Sequence, residues 1–360
     1  MLLRAAVDAS MSGTQAHSRI GRKSIIFPGR PSIVSTFTVA GPMEGDGPLG
    51  KYFDTVLPDT FYGERCWEQT ESKMLKEAVA HCIQAAGASE SDVDLLITGD
   101  LLSQCISGSF AARDLSIPHL GLYAACASFA GGLITAAMCL EGGFGSHVVV
   151  AVSSHHDAAE RQFRFPTELG VQRPPTAQWT ATLAAAVMLG YPQSPLSPSG
   201  PRVRLVGATI GEVIEIGIKD PYDMGTAMAP AAADTLATHF KEFRIPPSHY
   251  DLIVTGDLGA VGRAIAVDLL ESRGLAVRDR FQDCGLLLYD RSRQDVHAGG
   301  SGTACSAGVF CAHLYRGMME GRWQRILLAP TGALHSPTSC KQGEPIPAIC
   351  HAVALELERD

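Results

Sequence analysis

The sequence predicts an α/β fold built by tandem duplication, and three observations carry that reading. Asp94–Leu101 reads DLLITGDL and Asp251–Leu258 reads DLIVTGDL, identical at six of eight positions. Each is an apolar run ending in Thr-Gly-Asp, the pattern of a buried strand that stops at a turn. Next, Ala-Cys-Ala-Ser at 125–128 and Ala-Cys-Ser-Ala at 304–307 each open a helix-like stretch that closes on Glu-Gly. Cysteine and glutamate both recur at an offset of 179 residues (126 to 305, 141 to 320). Finally, apolar runs follow both stretches, VVVAVSSHH at 148–156 and ILLAPTGALH at 326–335. A repeat of this kind constrains the architecture before any local assignment.

In chain order, residues 1–24 read as an extension outside the globule, with Met11 as a second candidate start. They hold no sustained apolar segment, so no secretory signal is expected. Ile33–Ala40 is a strand ending at Gly41-Pro42, and the glycine- and acid-rich EGDGPLGKYFD at 44–54 is a loop. Trp67–Ala86 is an amphipathic helix: Trp67, Met74, Leu75, Ala78, Val79, Cys82 and Ile83 fall at helical spacing, and Gly87 stops it. After the first twin strand, a buried helix begins at Cys126. His155–Trp179 departs most from the repeat, with three arginines, two histidines and Pro174-Pro175. So polar an insertion after a buried strand is expected to cross a pocket mouth or a subunit interface. A strand at 180–191 ends the first half, and PQSPLSPSGP at 192–201 marks the junction, giving halves of 25–195 and 196–360. The second half predicts a strand at 203–210, the loop KDPYDMG, and a helix from Ala229 to Phe243 with Pro230 in its first turn, where proline is tolerated. The second twin strand follows, and IPAICHAVALELE closes the chain as a strand.

Composition narrows the function. Of 360 residues, 46% are hydrophobic and 18% charged, enough apolar surface for a large core. A formal charge of −8 argues against a broad nucleic-acid surface, so no nucleic-acid partner is expected. The ten cysteines are under 3% of the chain and sit in helix- and strand-like runs, as expected of free thiols in a reducing compartment. The longest apolar stretch, Phe129–Leu140, is twelve residues with two glycines, far short of a membrane span. Membrane association is therefore expected only through a partner or by peripheral docking.

Cys126 lies between a short apolar strand and an alanine-rich helix. A helix N-terminus there would stabilise a thiolate and could supply oxyanion donors. A small buried cysteine packed beside a helix is the structural alternative. GLYAACASFAGGLITAA at 121–137 resembles the nucleophile segment of thiolase-like condensing enzymes of the ketoacyl synthase III type. That resemblance implies a thiolase-like duplicated αβαβα layered fold. It also implies equipment that this chain lacks. Thr255-Gly256-Asp257-Leu258 stands where those enzymes carry His-Gln-Ala-Asn, GGSGTACSAG at 299–308 where they carry Gly-Asn, and TATLAAA at 180–186 where they carry a glycine-rich strand. An ionised Asp257 would repel a developing oxyanion. The resemblance therefore implies no competence in carbon–carbon condensation.

A narrower resemblance rests on GPMEGDGPLGKYFD, TGDLL, AERQFRFPTE, DMGTAMAPAAADT, DCGLLLYD, AGGSG and TGALHSPT, from about Lys23 to Glu356. These segments are similar to the stage V sporulation protein AD family of spore-forming Firmicutes. The resemblance implies binding of dipicolinic acid for uptake into the developing spore, alongside small membrane proteins of the same stage V sporulation A operon. It implies synthesis in the cytoplasm and a peripheral position at the spore inner membrane, while the thiolase-like resemblance implies a homodimer formed through the first half.

Dipicolinate is a flat pyridine with two carboxylates. It needs cationic or N–H donors at two points and an apolar or aromatic slot, with room for an accompanying calcium ion. The candidate contacts are Cys126, His155, His156, Arg161, Arg164, Arg173, Asp257 and Ser301. Arginine suits bidentate carboxylate recognition better than lysine, although each arginine could instead pair with Glu160, Glu168 or a partner subunit. His155-His156 lacks the spaced ligands of a metal site, so neither a metal nor a resident cofactor is expected. Cys305 is expected to pack at a helix start, and the symmetric Asp100 and Asp257 to cap turns. His335 and Cys340 lie where degradative thiolases carry a second cysteine, but without the surrounding glycine-rich motif. The alternative to a binding protein is an acyltransferase or thioesterase-like enzyme with Cys126 as acyl acceptor. A third possibility is an adaptor that only docks membrane partners.

Overall fold

The computed structural model describes residues 18–197 and 199–359. Residues 1–17 of the predicted extension, and Pro198 of the predicted junction, lie outside the described residues.

Sixteen strands are present among the described residues. In the first part they are β1 (Ser24–Ile26), β2 (Ser32–Ala40), β3 (Thr55–Val56), β4 (Leu95–Gly99), β5 (His119–Gly121), β6 (His147–Ser154), β7 (Trp179–Thr180) and β8 (Leu183–Gly190). The remainder are β9 (Arg202–Thr209), β10 (Leu252–Thr255), β11 (Phe281–Asp283), β12 (Gly300–Ser301), β13 (Arg325–Ala329), β14 (Thr331–Ala333), β15 (Ala348–Cys350) and β16 (Ala352–Glu358). The main helices are α1 (Trp67–Ala85), α2 (Ile106–Arg113), α3 (Ser128–Glu141), α4 (His156–Phe163), α5 (Met224–Phe243), α6 (Gly259–Ser272) and α7 (Thr303–Val309).

The repeat is written into the sheet. One five-strand set runs β5-β4-β6-β8-β2 and the other β11-β10-β13-β16-β9, so both have the same order in chain terms. In each, the first two pairings from the outer edge are parallel and the next two antiparallel. The sets meet at one residue pair, Ser32 with Arg204. β1 precedes the first set in sequence yet pairs with β9 of the second.

Strand periodicity sorts side chains into layers. Val148, Val150 and Val152 of β6, Leu183, Ala185 and Val187 of β8, Ile326 and Leu328 of β13, and Val353 and Leu355 of β16 share one core with Phe129 and Leu133 of α3 and Ala304 and Ala307 of α7. The alternate residues face outward. Val149, Ala151, Ala184 and Ala186 pack under α1 and α2, while Ile253, Leu327, Ala329 and Ala352 pack under α5 and α6. The result is the thiolase-like αβαβα order, with α3 and α7 in the central layer. At about 25 cal/mol per Å² of apolar surface removed from water, this double-sided burial is the main stabilising contribution.

Several sequence expectations need correction. α5 begins at Met224, five residues before the predicted Ala229, and Pro230 lies inside it. Pro230 has no N–H to give the preceding turn, but burial of Met224, Ala227 and Met228 supports the early start. Gly225 and Gly262 let α5 and α6 cross closely: a Cβ on Gly262 would meet the Gly225 carbonyl at 2.5 Å. The insertion after β6 carries a helix, α4, that its polarity concealed. The run at 326–335 breaks at Pro330 into β13 and β14, and the closing run breaks at His351 into β15 and β16. No helix of the described residues is long and apolar enough to cross a membrane.

Candidate functional site

Cys126 sits on the short connection between β5 and α3, two residues before the helix begins. Ala125 holds a left-handed backbone (φ +48°), a conformation uncommon for a residue with a Cβ. Ser128 pins the turn: its Oγ accepts from the Ala124 N–H at 2.9 Å and donates to the Ala125 carbonyl at 2.7 Å. From the second half, Gly332 of β14 presses on this turn, where a Cβ would come within 2.2 Å of the Ala124 carbonyl oxygen.

The thiol is buried, and its Sγ lies 3.7 Å from Ser301 Oγ. Ser301 donates to Asp257 Oδ2 at 3.2 Å. The other carboxyl oxygen of Asp257 accepts from Thr331 Oγ1 at 2.7 Å and from the Thr331 N–H at 3.3 Å. One polar chain thus runs Cys126–Ser301–Asp257–Thr331, with the cysteine from one half and the other three residues from the second. Burial pushes the Asp257 carboxyl up to about 7. Burial first, and then the neighbouring Asp257, push the Cys126 thiol well above the ordinary cysteine range. Of the two readings of this cysteine, desolvation and an adjacent acid favour the packed, protonated thiol.

The cavity at Cys126 is small, with about 20 Å³ of free space, on the scale of one water. Leu101, Tyr123, Phe163, Arg164, Met224 and His335 close it. His335 meets the Phe163 ring edge-on at 5.2 Å, and its Nδ1 lies 3.1 Å from Cys340 Sγ. Burial lowers this imidazole to about 4, so it is neutral.

The predicted contacts sort into three places. Cys126, Ser301 and Arg164 line the first cavity, and Asp257 lies behind Ser301. Arg164 spans its wall, donating to Glu160 Oε1 at 2.7 Å and to the Pro221 carbonyl at 3.0 Å. His156 and Arg173 line a neighbouring cavity of about 250 Å³ with Glu160, Trp179 and Tyr222. His155 and Arg161 lie apart from both, against Trp67: His155 Nε2 is 2.9 Å from the Thr60 carbonyl, and Arg161 pairs with Glu68 at the surface. Sequence reasoning missed Phe163 and Met224 as wall residues and Thr331 as a partner of Asp257, although each lies inside a motif it had singled out. Among the described residues, no group of three His, Cys, Asp or Glu side chains could hold a metal ion.

Comparison with known proteins agrees with this geometry. Residues 21–356 match the family defined as stage V sporulation protein AD. Stage V sporulation protein AD of Bacillus subtilis (strain 168) is 42% identical over 336 residues, spanning 93% of this chain and 97% of that protein. Among solved structures, cerulenin-bound OleA of Xanthomonas campestris superposes with a TM-score of 0.58 at 16% identity, covering 92% of this chain and all of that one. The 3-oxoacyl-[acyl-carrier-protein] synthase III of Aquifex aeolicus VF5 gives 0.51 at 13% identity, covering 91% and 99%. The two structural likenesses establish the thiolase-like fold, whereas the sequence match runs through the turn that holds Cys126 and the strands that bring Asp257, Ser301 and Thr331 to it. The chain belongs to the stage V sporulation protein AD family.

Proposed function

We propose that this protein is a non-enzymatic, dipicolinic-acid-binding component of the machinery that loads the developing spore. It would use the degenerate thiolase-type cavity beside Cys126. One observation carries the reading: in that cavity the thiol hydrogen-bonds toward Ser301 and Asp257, not toward an imidazole. A cysteine without a basic partner, kept protonated by burial, is a poor acyl acceptor, while hydroxyl and thiol groups in one cavity with Arg164 suit recognition of a small acid. Entry of a ligand the size of dipicolinate requires Phe163 and α4 to yield, since the closed cavity has room for little more than water. Calcium would accompany the ligand, not reside in the protein.

The same reading assigns a second copy of the chain and the operon's membrane proteins as partners, with the protein peripheral to the spore inner membrane. Leu120, Tyr123, Met138, Ile210 and Val213 are exposed around an apolar groove of about 420 Å³, a surface suited to a homodimer.

Calorimetric titration with dipicolinate, with and without calcium and beside an acetyl-CoA control, tests the proposal. Saturable binding that disappears in a folded Cys126→Trp variant supports it. Absence of dipicolinate binding together with a covalent acetyl adduct on Cys126 would overturn it in favour of acyl transfer.

A further inference from the structure

The larger cavity beyond the Glu160–Arg164 pair holds two polar atoms with no partner. His156 is stacked on Trp179, ring centroids 3.4 Å apart and planes 4° from parallel. Burial holds the imidazole neutral, lowered to about 3. Its Nδ1 is buried without a hydrogen-bond partner. Arg173 also lies over Trp179, its guanidinium carbon 4.9 Å from the ring centroid. One guanidinium nitrogen, Nη2, is engaged by Asp295, through the carbonyl at 2.7 Å and Oδ2 at 3.0 Å. The other, Nη1, is buried with no partner. Buried N–H groups left unmatched are uncommon because desolvation is then uncompensated.

Both atoms belong to residues lining the same space, about 250 Å³ in volume. Its remaining walls are Tyr222, Phe165, Pro166 and Val171. The acid in the wall does not oppose an anion outright: Glu160 is neutralised by Arg164 at 2.7 Å. Asp157, nearby on α4, is bonded by Thr167 Oγ1 at 2.9 Å. An unfilled guanidinium donor and aromatic walls describe a receptor for one carboxylate carried on a flat ring.

We propose that this cavity is a separate binding site for planar aromatic carboxylates, in which Arg173 Nη1 takes the carboxylate and the ring lies among Phe165, Tyr222 and the edge of the His156–Trp179 stack. The site adjoins the Cys126 cavity across the Glu160–Arg164 pair, so it could hold ligand before transfer inward. It shares a ligand class with the proposed function but does not depend on the Cys126 cavity.

The test uses the full chain carrying Trp67→Phe and Trp323→Phe, which leaves Trp179 as the only indole of the three. Pyridine-2-carboxylate, dipicolinate and cyclohexanecarboxylate are titrated while Trp179 fluorescence is followed. The expected result is saturable quenching by pyridine-2-carboxylate at one per chain, with the non-aromatic acid at least ~10-fold weaker. Arg173→Gln should weaken binding at least ~10-fold, whereas Cys126→Phe, which fills the neighbouring cavity without adding an indole, should leave it unchanged. Arg173→Lys, which keeps the charge and loses the fork, should fall between, and it stands in if the glutamine variant fails to fold by circular dichroism. Quenching that is absent, or indifferent to both Arg173 variants, overturns the site. Dipicolinate binding lost in Cys126→Phe but intact in Arg173→Gln removes this site and keeps the main proposal. The reverse pattern keeps this site and removes the other.

Discussion

Asp100 and Asp257 end the two copies of one strand motif, yet their surroundings differ. Asp100 faces its own half: its oxygens accept the Leu102 N–H at 2.9 Å and the Gly108 N–H at 2.8 Å, fastening the turn into α2. In the second half that duty has passed to Asp283, which accepts from the Leu258 and Gly259 N–H groups at 2.9 and 3.0 Å. Asp257 is thereby released to face Ser301, Thr331 and the thiol at Cys126. Duplication supplied two equivalent acids, and a third residue taking over backbone capping left one of them available to a site.

The contrast can be tested. The largest effect should be a pH dependence. Burial raises the Asp257 carboxyl from 3.8 to about 7, so between those values the folded state holds a proton that the unfolded chain releases. Stability should fall as pH rises through this window, with a contribution on the order of a few kcal/mol. Chemical unfolding of the parent and of Asp257→Asn at pH 4.5 and 7.5 checks the sign: the parent should lose more than the variant. An equal loss would mean that Asp257 is solvated and ionised throughout. Next, Asp100→Ala leaves two buried N–H groups without an acceptor and should cost about 2 kcal/mol in urea unfolding. Asp257→Ala strands mainly hydroxyls and should cost less. If the order is reversed, the division of labour between the two acids is wrong. The smallest effect is expected at Arg161, whose ion pair with Glu68 is half exposed. Arg161→Ala should change stability by under about 1 kcal/mol and leave dipicolinate titrations unaltered. A clear loss of binding would extend the site to the Trp67 side of α4.

The twin octapeptides and the constant spacing of the later motifs made the duplicated α/β architecture legible, while the order of strands in the sheet is a tertiary fact. Helix limits were less legible. Pro230 looked like a helix start because proline favours first turns, and nothing local announced that Met224 and Met228 would be buried against α6. At the site, Cys126, Asp257 and Ser301 were legible from motifs, but their contact is a tertiary fact. The arginines and histidines of the insertion could not be sorted by charge alone. Only packing separates His156, stacked on Trp179, from His155, held by the Thr60 carbonyl.

The fit of Gly332 against the Ala124–Ala127 backbone has a consequence for ancestry. The wall of the Cys126 cavity is a joint between the repeats, with one repeat giving the thiol and the other the acid, the serine and the surface that seats the turn. A single ancestral unit could have formed such a chamber only by pairing with another copy of itself. In one chain the two sides of the joint carry different residues, so the pocket is asymmetric although the sheet that frames it is repeated.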